Sequence, residues 1–199
     1  MLPRLWPALL LALSIGWAGP SRAADFDLDA LMQRLAQVKA GEATFVEKRQ
    51  IFQLDQTLES SGRLSFRAPD TFVRETLKPR QERLAVVGNQ LTMSQGSRSR
   101  TTTLDSVPEA VVIVEAVRGT LTGNRETLER YFTTRLGGVA ERWSLDLEPR
   151  DARLRGQVRE LRVSGRLGQL REVQVIMADG DRSVMRIEPV AVTEPARAE

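Results

Sequence analysis

The chain reads as a mainly β protein with helices: one curled antiparallel sheet, an N-terminal helix, and a helical lid or plug against the concave face. Three observations predict this. An amphipathic helix is followed directly by strand text in meander order. A helical pair then interrupts the meander at residues 106–132, and more meander follows. Finally, roughly ten runs of period two exceed what an open sheet carries without curling. The two central helices then have one natural place, across the concave side.

The first helix is expected over 26–39, where Leu28, Leu31, Leu35 and Val38 keep the helical period. Asp27 is its expected N-cap, and Gly41 lies just past its expected end. Strands follow at 43–53 and 57–67, joined near Asp55. In the second, Leu58, Ser60, Gly62, Leu64 and Phe66 share one face, and Thr57, Glu59, Ser61, Arg63, Ser65 and Arg67 the other. A corner at Pro69 leads into 71–77. Residues 82–87 and 90–95 form a hairpin about Gly88-Asn89, and a strand at 98–104 follows Gly96-Ser97.

Ser106-Val107-Pro108-Glu109 matches a capping box with proline in the first turn. The segment behind it, EAVVIVEAVRGTL, is β-branched and has poor helix propensity. A buried strand competes with a helix here; the cap signal, Glu109 and Glu115 favour the helix. Its expected stripe is Val107, Val111, Val114, Val117 and Leu121. A second helix is expected over 124–132, capped by Asn124. Strands return at 133–136, at 141–148 with Trp143, Leu145 and Leu147 on one face, and at 157–164, 169–178 and 181–188.

The domain so defined spans 24–188, between a leader at 1–23 and a polar tail at 189–199 expected to be disordered. Residues 1–23 combine Arg4, an apolar run and a small-residue end, the grammar of a cleavable signal peptide cut after Ala23. The periplasm is the expected location. The chain has 29 Lys+Arg against 26 Asp+Glu, and Arg4 and Arg22 belong to the leader. The mature chain is therefore near neutral, which gives no argument for nucleic acid. Cysteine and histidine are both absent. That removes disulfides, lipidation at cysteine, His-based triads and His metal sites. No catalytic residues, cofactor or metal are expected. Asp179-Gly180-Asp181 is too short for a calcium loop and reads as a turn. The seven arginines within 150–171 are either a docking patch for a membrane or acidic partner, or a solvated strand face.

Several stretches carry a family resemblance: ATFVEKR after the first helix, G-x-L-x-F-x-x-P-D-x-F from Gly62 to Phe72, LAVVGNQLTM, WSLDLEPRDARL and the closing DGDRSVMRI. In this order the chain resembles the LolA-like periplasmic carriers of outer-membrane lipoproteins. The resemblance implies an unclosed β-barrel with a helical lid over a hydrophobic cavity that holds acyl chains. Hiding such chains removes about 0.8 kcal/mol of cost per CH₂. Periodicity alone describes a packed core equally well; the resemblance selects the cavity. Candidate cargo-binding residues on the sheet are then Phe45, Leu64, Phe66, Phe72, Arg74, Val86, Leu91, Met93, Trp143 and Leu145. On the lid they are Val111, Val114, Val117 and Leu121. Ser60 and Gly62 would leave room for the ligand.

Two departures stand out. The family arginine before the corner proline is Ala68 here, while Phe72 keeps the pattern and Arg74 replaces an aromatic. The family's C-terminal extension is missing. Arg74 is expected either to supply the lid contacts that Ala68 cannot, or to meet a cargo head group. Both departures favour a relative serving another amphiphile, such as a lipid or lipid-linked pigment moved by an inner-membrane exporter. The implied partners are an acylated lipoprotein or lipid, an inner-membrane exporter and an outer-membrane acceptor, with the carrier a monomer. A lipid-sensing regulatory protein of the envelope is the alternative.

Overall fold

The structure, a computed structural model, describes residues 26–190 apart from Asp55. The expected leader, with its cleavage after Ala23, and residues 191–199 of the expected tail lie outside the described residues.

Helix α1 (Leu28–Leu35) starts where Asp27 Oδ1 accepts from the Ala30 amide at 2.8 Å. It ends earlier than expected, at the Ala36 cap, and Gly41 lies within the next strand. The reason is tertiary. Residues from Ala40 onward are claimed by strand pairing, with Ala40 opposite Arg67, so 36–39 must turn instead of continuing the helix.

Six strands then run in meander: β1 (Ala40–Ile51), β2 (Gln56–Arg67), β3 (Thr71–Lys78), β4 (Glu82–Val87), β5 (Gln90–Gln95) and β6 (Arg98–Thr103). The hairpin turn after β4 has Gly88 at φ 56°, a left-handed conformation suited to glycine. Helices α2 (Pro108–Leu121) and α3 (Arg125–Tyr131) follow. Then come β7 (Phe132–Val139), β8 (Arg142–Pro149), a short α4 (Ala152–Arg155), β9 (Val158–Arg166), β10 (Gln169–Met177) and β11 (Arg182–Pro189). The turn α4 was not legible in the sequence. It is capped by Asp151, whose carboxylate accepts from the Arg153 and Leu154 amides. Pro189 belongs to β11 rather than to the tail, and the Val190 amide still donates to Glu42 O at 2.8 Å.

The expected capping box does not form. The α2 cap position is Val107, without a side-chain bond, and Ser106 Oγ instead donates to Thr103 O at 2.6 Å. Proline at the first turn and burial supply what the box does not. No residue between Val107 and Gly123 is exposed, so α2 is covered on every side. That settles the helix-or-strand question physically: a helix covered along its whole length, with its buried Glu115 paired to Arg118, is held by packing despite poor propensity. Gly119 permits the close α2–α3 contact, because a Cβ there would sit 2.7 Å from the Leu128 side chain.

All strands join one antiparallel sheet of 11 strands, in the order β6-β5-β4-β3-β2-β1-β11-β10-β9-β8-β7. β1 and β11 close the long-range join, from Ala43 opposite Pro189 to Gln50 opposite Arg182. β6 and β7 remain the two edges, so the barrel is unclosed. The packed core lies over β8 to β11. There Leu145, Leu147, Leu161, Val163, Val173 and Val175 meet Leu31, Met32 and Leu35 of α1, Val112 and Ala116 of α2, and Leu128 of α3.

Candidate functional site

Cross-strand register decides which residues share the concave face. Phe66, Phe72, Val86 and Leu91 form one lateral row across β2 to β5. Leu64, Arg74, Leu84 and Met93 form the next, and Phe45 stands opposite Gly62. On the other half, Trp143 pairs with Gly165, and Leu145 with Val163. All ten sheet candidates therefore point to one side, as period two predicts.

Their surroundings differ sharply. Trp143 and Leu145 are fully buried in the packed half, with Trp143 Nε1 donating to Leu167 O at 2.9 Å. Val86, Leu91 and Phe45 are also buried. Leu64, Phe66 and Phe72 are only half-buried, and the last two stack at 5.1 Å between centroids. Met93 is 39 % and Leu58 49 % exposed. On α2, Val111 is buried, while Val114, Val117 and Leu121 are half-buried, with Leu121 against the core. The fully buried apolar positions of α2 also include Val112 and Ala116, off the expected stripe. The concave face is thus a closed core centred on β8 and β9 and a half-covered apolar strip at Leu64, Phe66 and Phe72, continued by Leu84 and Met93.

Two recesses open elsewhere. One of about 820 Å³ is lined by Trp143, Gly165 and Ile187 with Arg142, Arg166 and Arg171 among others. The second, about 360 Å³, lies between the starts of α2 and α4 at Val111, Tyr131 and Leu154. Leu64, Phe66 and Phe72 line neither.

Gly62 does not leave room for a ligand. A Cβ there would meet Glu75 O at 1.9 Å, so the neighbouring strand fills the space at a shift in register.

Arg74 has its partners within the sheet. One guanidinium nitrogen donates to Glu47 Oε2 at 2.6 Å and to Ser60 Oγ at 3.3 Å. Its guanidinium carbon lies 4.7 Å from the Phe45 ring centroid, a cation–π contact. Ser183 Oγ donates to the other Glu47 oxygen. The cluster therefore ties together β1, β2, β3 and β11 across the join of the two halves. Burial pushes the Glu47 carboxyl upward, but the Arg74 charge and the hydrogen bonds from Ser183, Arg74 and Ser60 outweigh it and hold the pKa below the usual range. A carboxyl lowered on folding contributes stability that is present above its unfolded pKa, about 4.3, and is lost as pH falls through the folded value. Glu47→Gln is therefore expected to destabilise the protein most at neutral pH. Its deficit against wild type should shrink steadily below about pH 4. Urea unfolding at stepped pH measures this.

The link between lid and sheet is made from the opposite direction to the one expected. Arg118 of α2, not Arg74, reaches the sheet: its Nη2 donates to Gly88 O at 2.7 Å, while Nη1 pairs with Glu115 Oε1 at 2.5 Å. Two more bonds hold the same turn. Asn89 Nδ2 donates to Asp105 Oδ2 at 2.9 Å, and the Leu104 amide to Asn89 O at 2.8 Å. Glu47 was findable in the sequence, because it follows Phe45 at a spacing of two on the inward face. Arg118 carried no such signal.

Several other charges are tied down within the sheet and its turns. Arg150 Nε donates to Phe132 O at 2.8 Å, Arg155 to Pro149 O at 3.2 Å, and Arg162 pairs with Asp146 at 2.5 Å. Asp181 accepts from the Phe52 amide at 3.0 Å and pairs with Arg49 at 3.1 Å. No cluster of potential metal ligands occurs among the described residues.

An unclosed antiparallel barrel with helices packed on its concave side defines a fold class in which one part of the inner face is core and another part is left half-covered. The chain belongs to the family described as outer membrane lipoprotein carrier protein LolA-like, whose model matches residues 18–197. Among solved structures it is similar to a LolA superfamily protein from Nitrosomonas europaea, at 11% identity over 81% of this chain and 89% of that one, with a TM-score of 0.45. It is also similar to a DUF1329 family protein from Desulfovibrio piger, at 10% identity over 86% and 94%, TM-score 0.47. LprF from Mycobacterium bovis matches at 9% over 84% and 96%, TM-score 0.37. Among curated proteins none matches. At these similarities the solved structures carry no argument about function; the family match stands on its own.

Proposed function

We propose that this protein is a non-enzymatic envelope carrier that binds acyl chains on the half-covered strip of its concave face. It is exported by the leader at 1–23 and works in the periplasm as a monomer. It takes an acylated lipoprotein or lipid from an inner-membrane exporter and passes it toward the outer membrane. The observation that carries this reading is the contrast between the two halves of one face. Over β8 and β9 the inward apolar residues are buried, whereas Leu64, Phe66 and Phe72 on β2 and β3 are left half-buried. Unsatisfied apolar surface of this kind gains about 25 cal/mol per Å² when an apolar ligand covers it. Family membership supports an acylated ligand.

Mass spectrometry of lipids extracted from gently purified protein tests the reading directly. Co-purifying acyl lipids or acylated peptides are expected. Phe72→Glu should weaken binding of a fluorescent fatty acid by roughly tenfold or more, because it sets a charge against the acyl chain. Retention of full affinity would remove this strip as the site.

A further inference from the structure

The sheet has two free edges, and they are not equivalent. β7 borders the packed half, where Phe132 and Leu145 are fully buried. β6 meets the half-covered strip along one row, where Arg100 stands opposite Met93, 39 % exposed, beside half-buried Leu84 and Leu64; in the neighbouring row Val86 and Leu91 are buried. An acyl chain lying on Phe72 and Leu64 would reach β6 by way of Leu84 and Met93, within a few strand spacings of about 4.8 Å each.

The backbone of β6 is open on that side. The Leu104 amide donates to Asn89 O at 2.8 Å, which sets the alternation of the ladder. Thr102, Arg100 and Arg98 therefore turn their backbone groups toward β5, and Thr103, Thr101 and Ser99 turn theirs away. Side-chain contacts agree: Thr101 and Thr92 hydroxyls approach at 3.0 Å, as do those of Ser99 and Ser94, the close approach of non-hydrogen-bonded pairs. Only the Thr103 carbonyl is engaged, by Ser106 Oγ at 2.6 Å. Arg98 and Arg100 form no ion pair among the described residues, although both lie beside this edge.

We propose that β6 accepts the polypeptide of an acylated protein as an added antiparallel or parallel strand, with acidic residues at alternate positions facing Arg98 and Arg100. A free lipid has no backbone to offer this edge, so the pairing adds affinity only for cargo that carries polypeptide. The acyl chain binds on the strip and the segment next to it pairs with β6. This rests on the acyl-carrier reading above and adds a second contact surface to it.

The test uses a synthetic peptide with an N-terminal palmitoyl chain and glutamate at alternate positions, the same peptide without the chain, and palmitate alone. Hydrogen exchange by NMR should slow at the Ser99, Thr101 and Thr103 amides with the palmitoyl peptide and not with palmitate. Thr101→Pro removes an outward amide while leaving the ladder to β5 intact. It should bind the palmitoyl peptide roughly tenfold more weakly and palmitate unchanged. Palmitoyl-peptide binding with unaltered edge exchange and equal affinity in Thr101→Pro overturns the strand pairing and leaves the carrier reading standing. Failure of both palmitate and palmitoyl peptide to bind overturns the carrier reading, and the edge proposal with it.

Discussion

Arg118→Leu is expected to cost about 3–5 kcal/mol, the range for removing one partner of a buried ion pair. The Arg118 and Glu115 side chains are 19 % and 9 % exposed. Without the guanidinium, Glu115 keeps its burial and loses its countercharge, and Gly88 O loses its donor. Burial already raises the Glu115 pKa despite Arg118, with Asp105 adding to the rise and Arg130 opposing it. A carboxyl raised on folding contributes stability that is complete below its unfolded pKa and is lost as pH rises through the folded value. The deficit of Arg118→Leu should therefore be largest at neutral pH and smallest in acid, where Glu115 is protonated. Urea unfolding at pH 7 and near pH 4 gives both figures. The double variant with Glu115→Leu should recover most of the loss, since it leaves no unpaired charge. A single variant as stable as wild type at neutral pH would show that α2 is held by packing alone. The α2 amides should also exchange faster in the single variant, because α2 has lost a tie to the β4–β5 turn.

Trp143→Ala should cost about 3–5 kcal/mol, the usual range for truncating a buried aromatic. Trp143 is fully buried, and its ring lies so close over Gly165 that a Cβ there would come within 2.4 Å of it. Its indole also holds the 166–169 turn through Leu167 O, where Leu167 sits at φ 52°. Trp143→Phe keeps much of the packing and loses the hydrogen bond, so about 1–2 kcal/mol is expected. The other two tryptophans, Trp6 and Trp17, precede Ala23. Without residues 1–23 the chain holds no other tryptophan and both variants remove this one, so far-UV circular dichroism through urea unfolding measures these differences. Palmitate binding to the same variants separates the two halves of the face. Trp143→Ala should weaken palmitate binding only in proportion to lost folding, whereas Phe72→Glu should weaken binding in a folded protein.

The sequence by itself determined what is local. Alternation placed Leu64, Phe66, Phe72, Val86 and Leu91 on one side of their strands, because side chains of a pleated strand alternate with no reference to distant residues. Gly88-Asn89 marked its hairpin, and Asp27 and Asn124 marked their caps, since each satisfies backbone groups within a few residues. The family resemblance was legible for the same reason: its motifs are strings of such local rules.

Tertiary structure decided what covers each side. Ser183 lies 136 residues from Glu47, and only the β1–β11 pairing brings it to the carboxylate that holds Arg74. Arg74 was readable as an inward charge, but its partner was not, because a period names a face and not the atoms opposite. The α2 segment read ambiguously because its propensity favours a strand, while burial on every side makes it a helix. The division of one apolar face into a closed core and a half-covered strip was likewise absent from the pattern. Leu145 and Leu64 look alike in sequence, and differ only because α1, α2 and α3 pack over one and leave the other partly bare.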